Sequence, residues 1–313
     1  MKVALCFIIS YEHILNKEEI WKEWIEYNKD IINVYFYYKD ITKIKSKWIL
    51  DHCLPASECV YKTSYYHVIP AYLSLMKYAF YHDRGSNQWI CFLTDACCPI
   101  ISPKRFRYLF YKHREKSIFS WRKAWWNPTF HKRANLALLP EEFRLANDPW
   151  FVLKREDVYT SLQYIQHKSN ILKIISDGGL ANESLFAIIL FSCGKLGSVI
   201  NRASHAADWS RMASSTSPHI FETADNKDIQ FIEDSLLKNN YTMFIRKVAI
   251  NFPDEILRNY IYEYSREEDD KLVIRMPMNT FLVHYLIGFI IFIYWGICFY
   301  YLDIYKSMDI SNK

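Results

Sequence analysis

Residues 87–100 read NQWICFLTDACCPI, an apolar run whose single charged residue, Asp95, falls toward its carboxyl end. A run of this length without regular polar alternation fits a strand buried on both faces of a sheet. Upstream, HVIPAYLSLMKYAFYHD (67–83) has the spacing of an amphipathic helix that tolerates Pro70 near its first turn and is broken by Gly85 and Asn87. Downstream, ISPKRFRYLFYKHR (101–114) starts a helix behind Ser102 and Pro103. The same rhythm opens the chain. VALCFIIS (3–10) reads as a buried strand, a helix follows with Asn16 as its cap and Ile20, Trp24 and Tyr27 on one face, and NVYFYYKD (33–40) returns as a strand ending at Asp40. This order predicts an α/β fold with a mostly parallel central sheet flanked by helices. Ligands of such sheets bind at the carboxyl ends of the strands, where Asp40 and Asp95 stand.

Beyond this core the pattern loosens. Residues 43–63 read as irregular, KSIFSWRKAWW (116–126) as a short strand entering a loop of aromatics and cations, and 127–148 as a broken segment. DPWFVLKREDVYTSLQYIQHK (148–168) restores a strand and a helix, DIQFIEDSLLKN (228–239) is a helix, TMFIRKVAI (242–250) a strand, and 253–270 a final helix. No internal repeat interrupts the series.

Half of the chain, 51%, is hydrophobic, enough over 313 residues for a sizeable core. The net charge of +5 is spread along the chain without a Lys/Arg block, which argues against nucleic acid as a partner. The eight cysteines do not fall in zinc-knuckle spacing, and Cys6, Cys91 and Cys193 sit in apolar runs, so they read as reduced and structural. Dinucleotide, phosphate-loop, serine-hydrolase and zinc-protease signatures are absent. Residues 276–302 contain no Asp, Glu, Lys or Arg, and FLVHYLIGFIIFIYWGICFYYL (281–302) is long enough to cross a bilayer core of about 30 Å. The expected organisation is therefore one domain over 1–275, a single C-terminal membrane anchor over 276–302, and a short tail over 303–313. Without an export signal ahead of it, the domain is expected in the cytoplasm, with the lumenal side as the alternative.

Candidate chemistry begins at DGGLANESLFAIILF (177–191), where Glu183 joins a Gly-containing turn to an almost wholly apolar helix. Burial there would raise its pKa toward that of a general base; the plainer alternative is a carboxylate satisfying first-turn N–H groups behind an Asn182 or Ser184 cap. Asp40 and Asp95 either bind a nucleotide or metal or cap the next turn. Trp121, Arg122, Lys123, Trp125, Trp126, Lys132 and Arg133 either stack on sugars and bind anions or form an ordinary surface loop. Asp208-Trp209-Ser210 offers an aromatic platform or a buried loop anchor. Arg246 and Lys247 either neutralise a diphosphate or are simply solvated.

The order of these segments resembles the core-2/I-branching N-acetylglucosaminyltransferase family, which includes peptide xylosyltransferases and plant relatives. KVALCFIIS (2–10) is similar to the family's opening strand, and VYFYYKD (34–40) to its His-x-Asp strand, with Tyr38 at the histidine and Asp40 at the aspartate. QWICFLTDACCPIISPKRF (88–106), KSIFS (116–120) and DPWFVLKREDV (148–158) resemble later blocks. LANESLFAII (180–189) lies where the family has Asp-Glu, so Glu183 matches the general base and Asn182 replaces the aspartate. ADWSRMASSTSPHIFETAD (207–225) and YTMFIRKVAINFPDEI (241–256) complete a likeness spanning residues 2–260.

The resemblance implies a GT-A-like fold and an inverting transfer that needs no metal ion or other cofactor, in keeping with Asp95-Ala96-Cys97 in place of a metal pair. It implies a UDP-sugar donor, with GlcNAc or xylose as the sugar, and a glycan or glycoprotein acceptor. Glu183 would take the acceptor proton, Lys247 with Arg246 would hold the diphosphate, Asp40 the nucleoside, and Trp209 the acceptor sugar, alongside Lys132 and Arg133 of the loop. The alternative is a membrane-anchored nucleotide- or glycan-binding protein of the same fold without turnover.

Overall fold

The structure, a computed structural model, describes residues 1–263 except residues 10, 60–62, 65, 128–131 and 168. The chain divides into units 1–269 and 270–313. The expected membrane anchor at 276–302 and the tail lie outside the described residues. Among those described, no helix is long and apolar enough to cross a membrane.

In chain order the elements are β1 (Lys2–Ile8), α1 (Glu18–Glu26), β2 (Ile32–Tyr37), α2 (Lys47–Asp51), α3 (Ile69–Tyr81), β3 (Asn87–Thr94), β4 (Cys98–Pro99), α4 (Pro103–His113), β5 (Trp121–Lys123) and β6 (Leu145–Asn147). They continue with β7 (Val152–Lys154), α5 (Arg155–His167), α6 (Ser169–Ser176), α7 (Leu185–Ser192), β8 (His205–Ala207), α8 (Asn226–Lys238), β9 (Phe244–Arg246) and α9 (Asp254–Arg258). The main sheet has the order β2-β1-β3-β7; β1 is parallel to both neighbours and β7 runs antiparallel to β3. A mixed α/β fold with a mostly parallel sheet flanked by helices is thus what the sequence folds into.

Alternation along β1 divides the core. Val3, Leu5 and Phe7 pack on one face with Trp21 and Trp24 of α1, Phe106 and Phe110 of α4, and Ile232 and Leu236 of α8. Ala4, Cys6 and Ile8 pack on the other with Leu75 of α3, Val158 of α5 and the apolar run of α7. With both faces covered, the parallel strands lack a polar stripe, which is why they read as continuous apolar runs. The described cysteines are free thiols.

Several local expectations change. The 87–100 run is two strands: β3 stops at Thr94, the chain turns at Asp95-Ala96, and β4 leaves to pair with β9 and, through it, β8 in a second sheet. The indoles of Trp21 and Trp24 donate to the carbonyls of Cys97 and Ile101, each at 2.9 Å, and so fix this turn. Asn16 does not cap α1, whose N-cap is Lys17; its amide instead donates to Val248 O. Tyr27 is exposed rather than part of the buried face. Residues 43–63 include a helix, α2, capped by Ser46. The final helix begins as α9 and continues from Asn259 to Glu263 in wider π-type turns; the rest of the expected 253–270 helix lies outside the described residues. Lys17, 5% exposed, is a clamp, its ammonium donating to Ile250 O, Phe252 O and Asp254 Oδ1.

Candidate active site

Glu183 ends a 3-10 turn, Ala181–Glu183, and precedes α7 by two residues rather than lying in its first turn. The turn is entered through Leu180, at φ 59, after Gly178-Gly179. A Cβ on Gly178 would lie 2.4 Å from Asn135 N, so the approach of the two backbones demands glycine. Ala134 N donates to Gly179 O at 2.9 Å and Asn135 Nδ2 to Ile174 O at 2.9 Å, locking the loop to this turn. The lock carries Arg133 to Glu183, with Nη1 3.4 Å from Oε2.

Neither capping candidate serves α7. Ser184 occupies the N-cap position without a side-chain cap bond, and Asn182 is buried with no partner for its Oδ1 among the described residues. The cap comes from β6: Asn147 Oδ1 accepts Ala187 N at 3.2 Å while its Nδ2 donates to Asn182 O at 2.8 Å. Asn147 was hidden because its partners lie some forty residues ahead, beyond the reach of local capping patterns. Glu183 is therefore relieved of capping. With 19% of its side chain exposed, its carboxyl pKa is pushed up to about 7 by burial, which outweighs the opposing pull of Arg133. Asp148 pushes the same way as burial, and Arg246 pulls with Arg133.

Arg246 ends β9, paired in register with Ala207 of β8. It is buried, with its guanidinium 3.4 Å from the Trp150 ring centroid. Lys247 follows, its ammonium donating to Ser217 Oγ at 2.8 Å. Burial lowers the Lys247 pKa, helped by repulsion from Arg246, and burial raises that of Asp95 against the pull of Arg246 and Lys247. Arg246 also acts on the buried Tyr72 and His205. Desolvated acids and cations thus converge where the carboxyl end of β3 meets the end of β9, a concentration typical of functional sites. Trp150, Tyr72 and Asp148 belong to this group without having been singled out in the sequence; the only pointer was the Trp-Phe of the family-like DPWF segment.

Asp40 lies at the same sheet end but is not drawn into the group. Its carboxylate accepts from Thr42 N and Thr42 Oγ1, capping a 3-10 turn, and those bonds hold its pKa low. Trp209, 48% exposed, follows β8 by two residues, next to the β8–β9 pairing that ends at Arg246. Its neighbour Asp208 is a buried loop anchor, accepting from Ser210 N at 2.9 Å and from Arg211 Nε at 2.6 Å. Arg211 also pairs with Asp228 at 2.9 Å, which in turn meets His219 Nε2 at 2.9 Å. Lys132 is exposed beside Arg133.

A cleft of about 330 Å³ lies at the opposite end of the main sheet, lined in part by Phe80, Gln88, Arg114, Lys154 and Arg155. It contains none of the candidate residues, and its Glu156 pairs with Lys154 and Lys195. Among the described residues, no three His, Cys, Asp or Glu side chains are grouped to hold a metal ion. Compared with known proteins, the chain matches no family model, and no curated protein matches its sequence.

Proposed function

We propose that the chain is an inverting glycosyltransferase of the GT-A-like type, held at a membrane by residues 276–302, that moves GlcNAc or xylose from a UDP-sugar to a hydroxyl of a glycan or glycoprotein. The observation that carries this reading is Glu183: a largely buried carboxyl, uncommitted to capping, with a pKa pushed up to about 7. A sugar hydroxyl is nearly unionised at neutral pH, and a base tuned to working pH is what its attack requires.

In the step, the acceptor oxygen bonds to the anomeric carbon from the face opposite the nucleotide, and its proton passes to Glu183. The bond from that carbon to the β-phosphate oxygen breaks, and its electron pair leaves with UDP. Arg246 and Lys247 offset the charge developing on the diphosphate, which supports transfer without a metal ion. Trp209 offers a face to the acceptor sugar. Asp40 would reach the nucleoside from the same sheet end.

The test is UDP release by the full-length chain from UDP-GlcNAc or UDP-xylose in EDTA, together with Glu183→Gln. Loss of about 10² to 10⁴ in rate is expected for the variant, as for removal of a general base. Near-normal transfer by E183Q sinks the assignment. Stabilisation by UDP only with Mn²⁺ would sink the metal-free part.

One observation favours a binding protein without turnover. Arg211, the one Lys or Arg of residues 207–225, is committed to Asp208 and Asp228 and so is not free to serve as a second phosphate ligand. Binding of UDP without release from any UDP-sugar would select that reading.

A further inference from the structure

A chain of contacts leads outward from Glu183. Arg133 sits 3.4 Å from the carboxylate and 5.3 Å from the Trp126 ring centroid; Trp126 meets Trp125 edge-on at 4.7 Å, and Arg122 lies 4.0 Å over Trp125. Its frame is fixed on both sides. β5 pairs with β6 through Arg122–Ala146, and β6 carries the Asn147 that caps α7. From Lys116 to Pro140 the chain holds Lys116, Arg122, Lys123, Lys132 and Arg133 and no Asp or Glu. Arg122, Lys123, Trp125 and Lys132 are exposed, and neither Lys123 nor Lys132 makes an ion pair among the described residues.

These cations exceed what a donor needs, since Arg246 and Lys247 already stand at the end of β9 for the diphosphate. Trp126, 7% exposed, is the buried link between Arg133 and the exposed Trp125. Indole faces match the C–H face of a sugar ring, and guanidinium and ammonium groups match carboxylate or sulfate. An acidic peptide would use the charges and leave the indoles idle.

Resting on the glycosyl-transfer reading, we infer that the acceptor is an acidic glycan, one bearing carboxylate or sulfate groups, gripped by Arg122, Lys123, Trp125 and Lys132 with its reacting hydroxyl at Glu183. Arg133 bridges grip and base.

The experiment measures binding to the full-length chain of a heparin-derived hexasaccharide, its desulfated and carboxyl-reduced counterpart, and a poly-Glu peptide of equal charge, with UDP binding followed in parallel. Binding of the acidic hexasaccharide at least about tenfold tighter than either comparator is expected, and an Arg122→Gln/Lys123→Gln protein should lose about tenfold while its stabilisation by UDP is unchanged. Equal binding of the reduced sugar, equal binding of poly-Glu, or an unaffected double variant overturns the inference. Absence of any UDP response with hexasaccharide binding intact would instead remove the transferase reading and leave the glycan site standing.

Discussion

Asn147 and Ala187 are joined at 3.2 Å, the side-chain oxygen of one taking the backbone N–H of the other, so the helix behind the candidate base is capped from a neighbouring strand. This bond relieves Glu183 of capping and ties β6 to α7. Asn147→Ala should cost about 1–2 kcal/mol, measured by denaturant unfolding, because it removes a buried cap and strips Asn182 O of its donor.

The raised carboxyl pKa makes a prediction about stability. Between pH 4.5, the ordinary value for a glutamate, and about 7, the folded protein holds a proton on Glu183 that the unfolded chain has released. Stability should therefore fall as pH rises through this window, by up to about 3 kcal/mol, and level off above it. The E183Q protein should lack that component. Unfolding free energies at pH 5 and pH 8 for both proteins measure it, and an equal pH dependence in the two would contradict it.

Gly178→Ala places a methyl group 2.4 Å from Asn135 N, where only backbone can yield. A loss of about 1–3 kcal/mol is expected, as for other overpacked sites. Because the displaced loop carries Arg133, the pKa of Glu183, followed by carboxyl NMR, should rise further once its nearest cation withdraws.

Arg246→Lys keeps the charge at β9 but not the plane that lies over Trp150. UDP affinity by calorimetry should fall about tenfold, the scale of a desolvated cation–π contact of about 1–2 kcal/mol.

Much of the frame was legible because burial on both faces writes itself into composition. β1, β2 and β3 stand where the apolar runs place them, and Pro70, Ser102 and Pro103 mark helix starts as expected. What was not legible depends on partners distant in sequence. The break at Asp95 follows from β4 pairing with β9, about 150 residues on, and the antiparallel direction of β7 from its docking beside β3. In the site, Glu183 was visible as an acid at the edge of an apolar helix. Asn147, Trp150 and Asp148 were not, since each gains its meaning from contacts with α7, β9 or the 120 loop.

The second sheet carries a consequence for biosynthesis. β9 is its middle strand, emerging from the ribosome well after β4 and β8, which among the described strands pair with it alone. Lys17, near the other end of the domain, likewise finds its three oxygens only when residues 250–254 exist. A nascent chain can assemble β1, β2 and β3 early, whereas the cations at the end of β9 join them only late. Incomplete chains should therefore expose the buried lysine and the sheet's unpaired strands, making them substrates for chaperones and proteases.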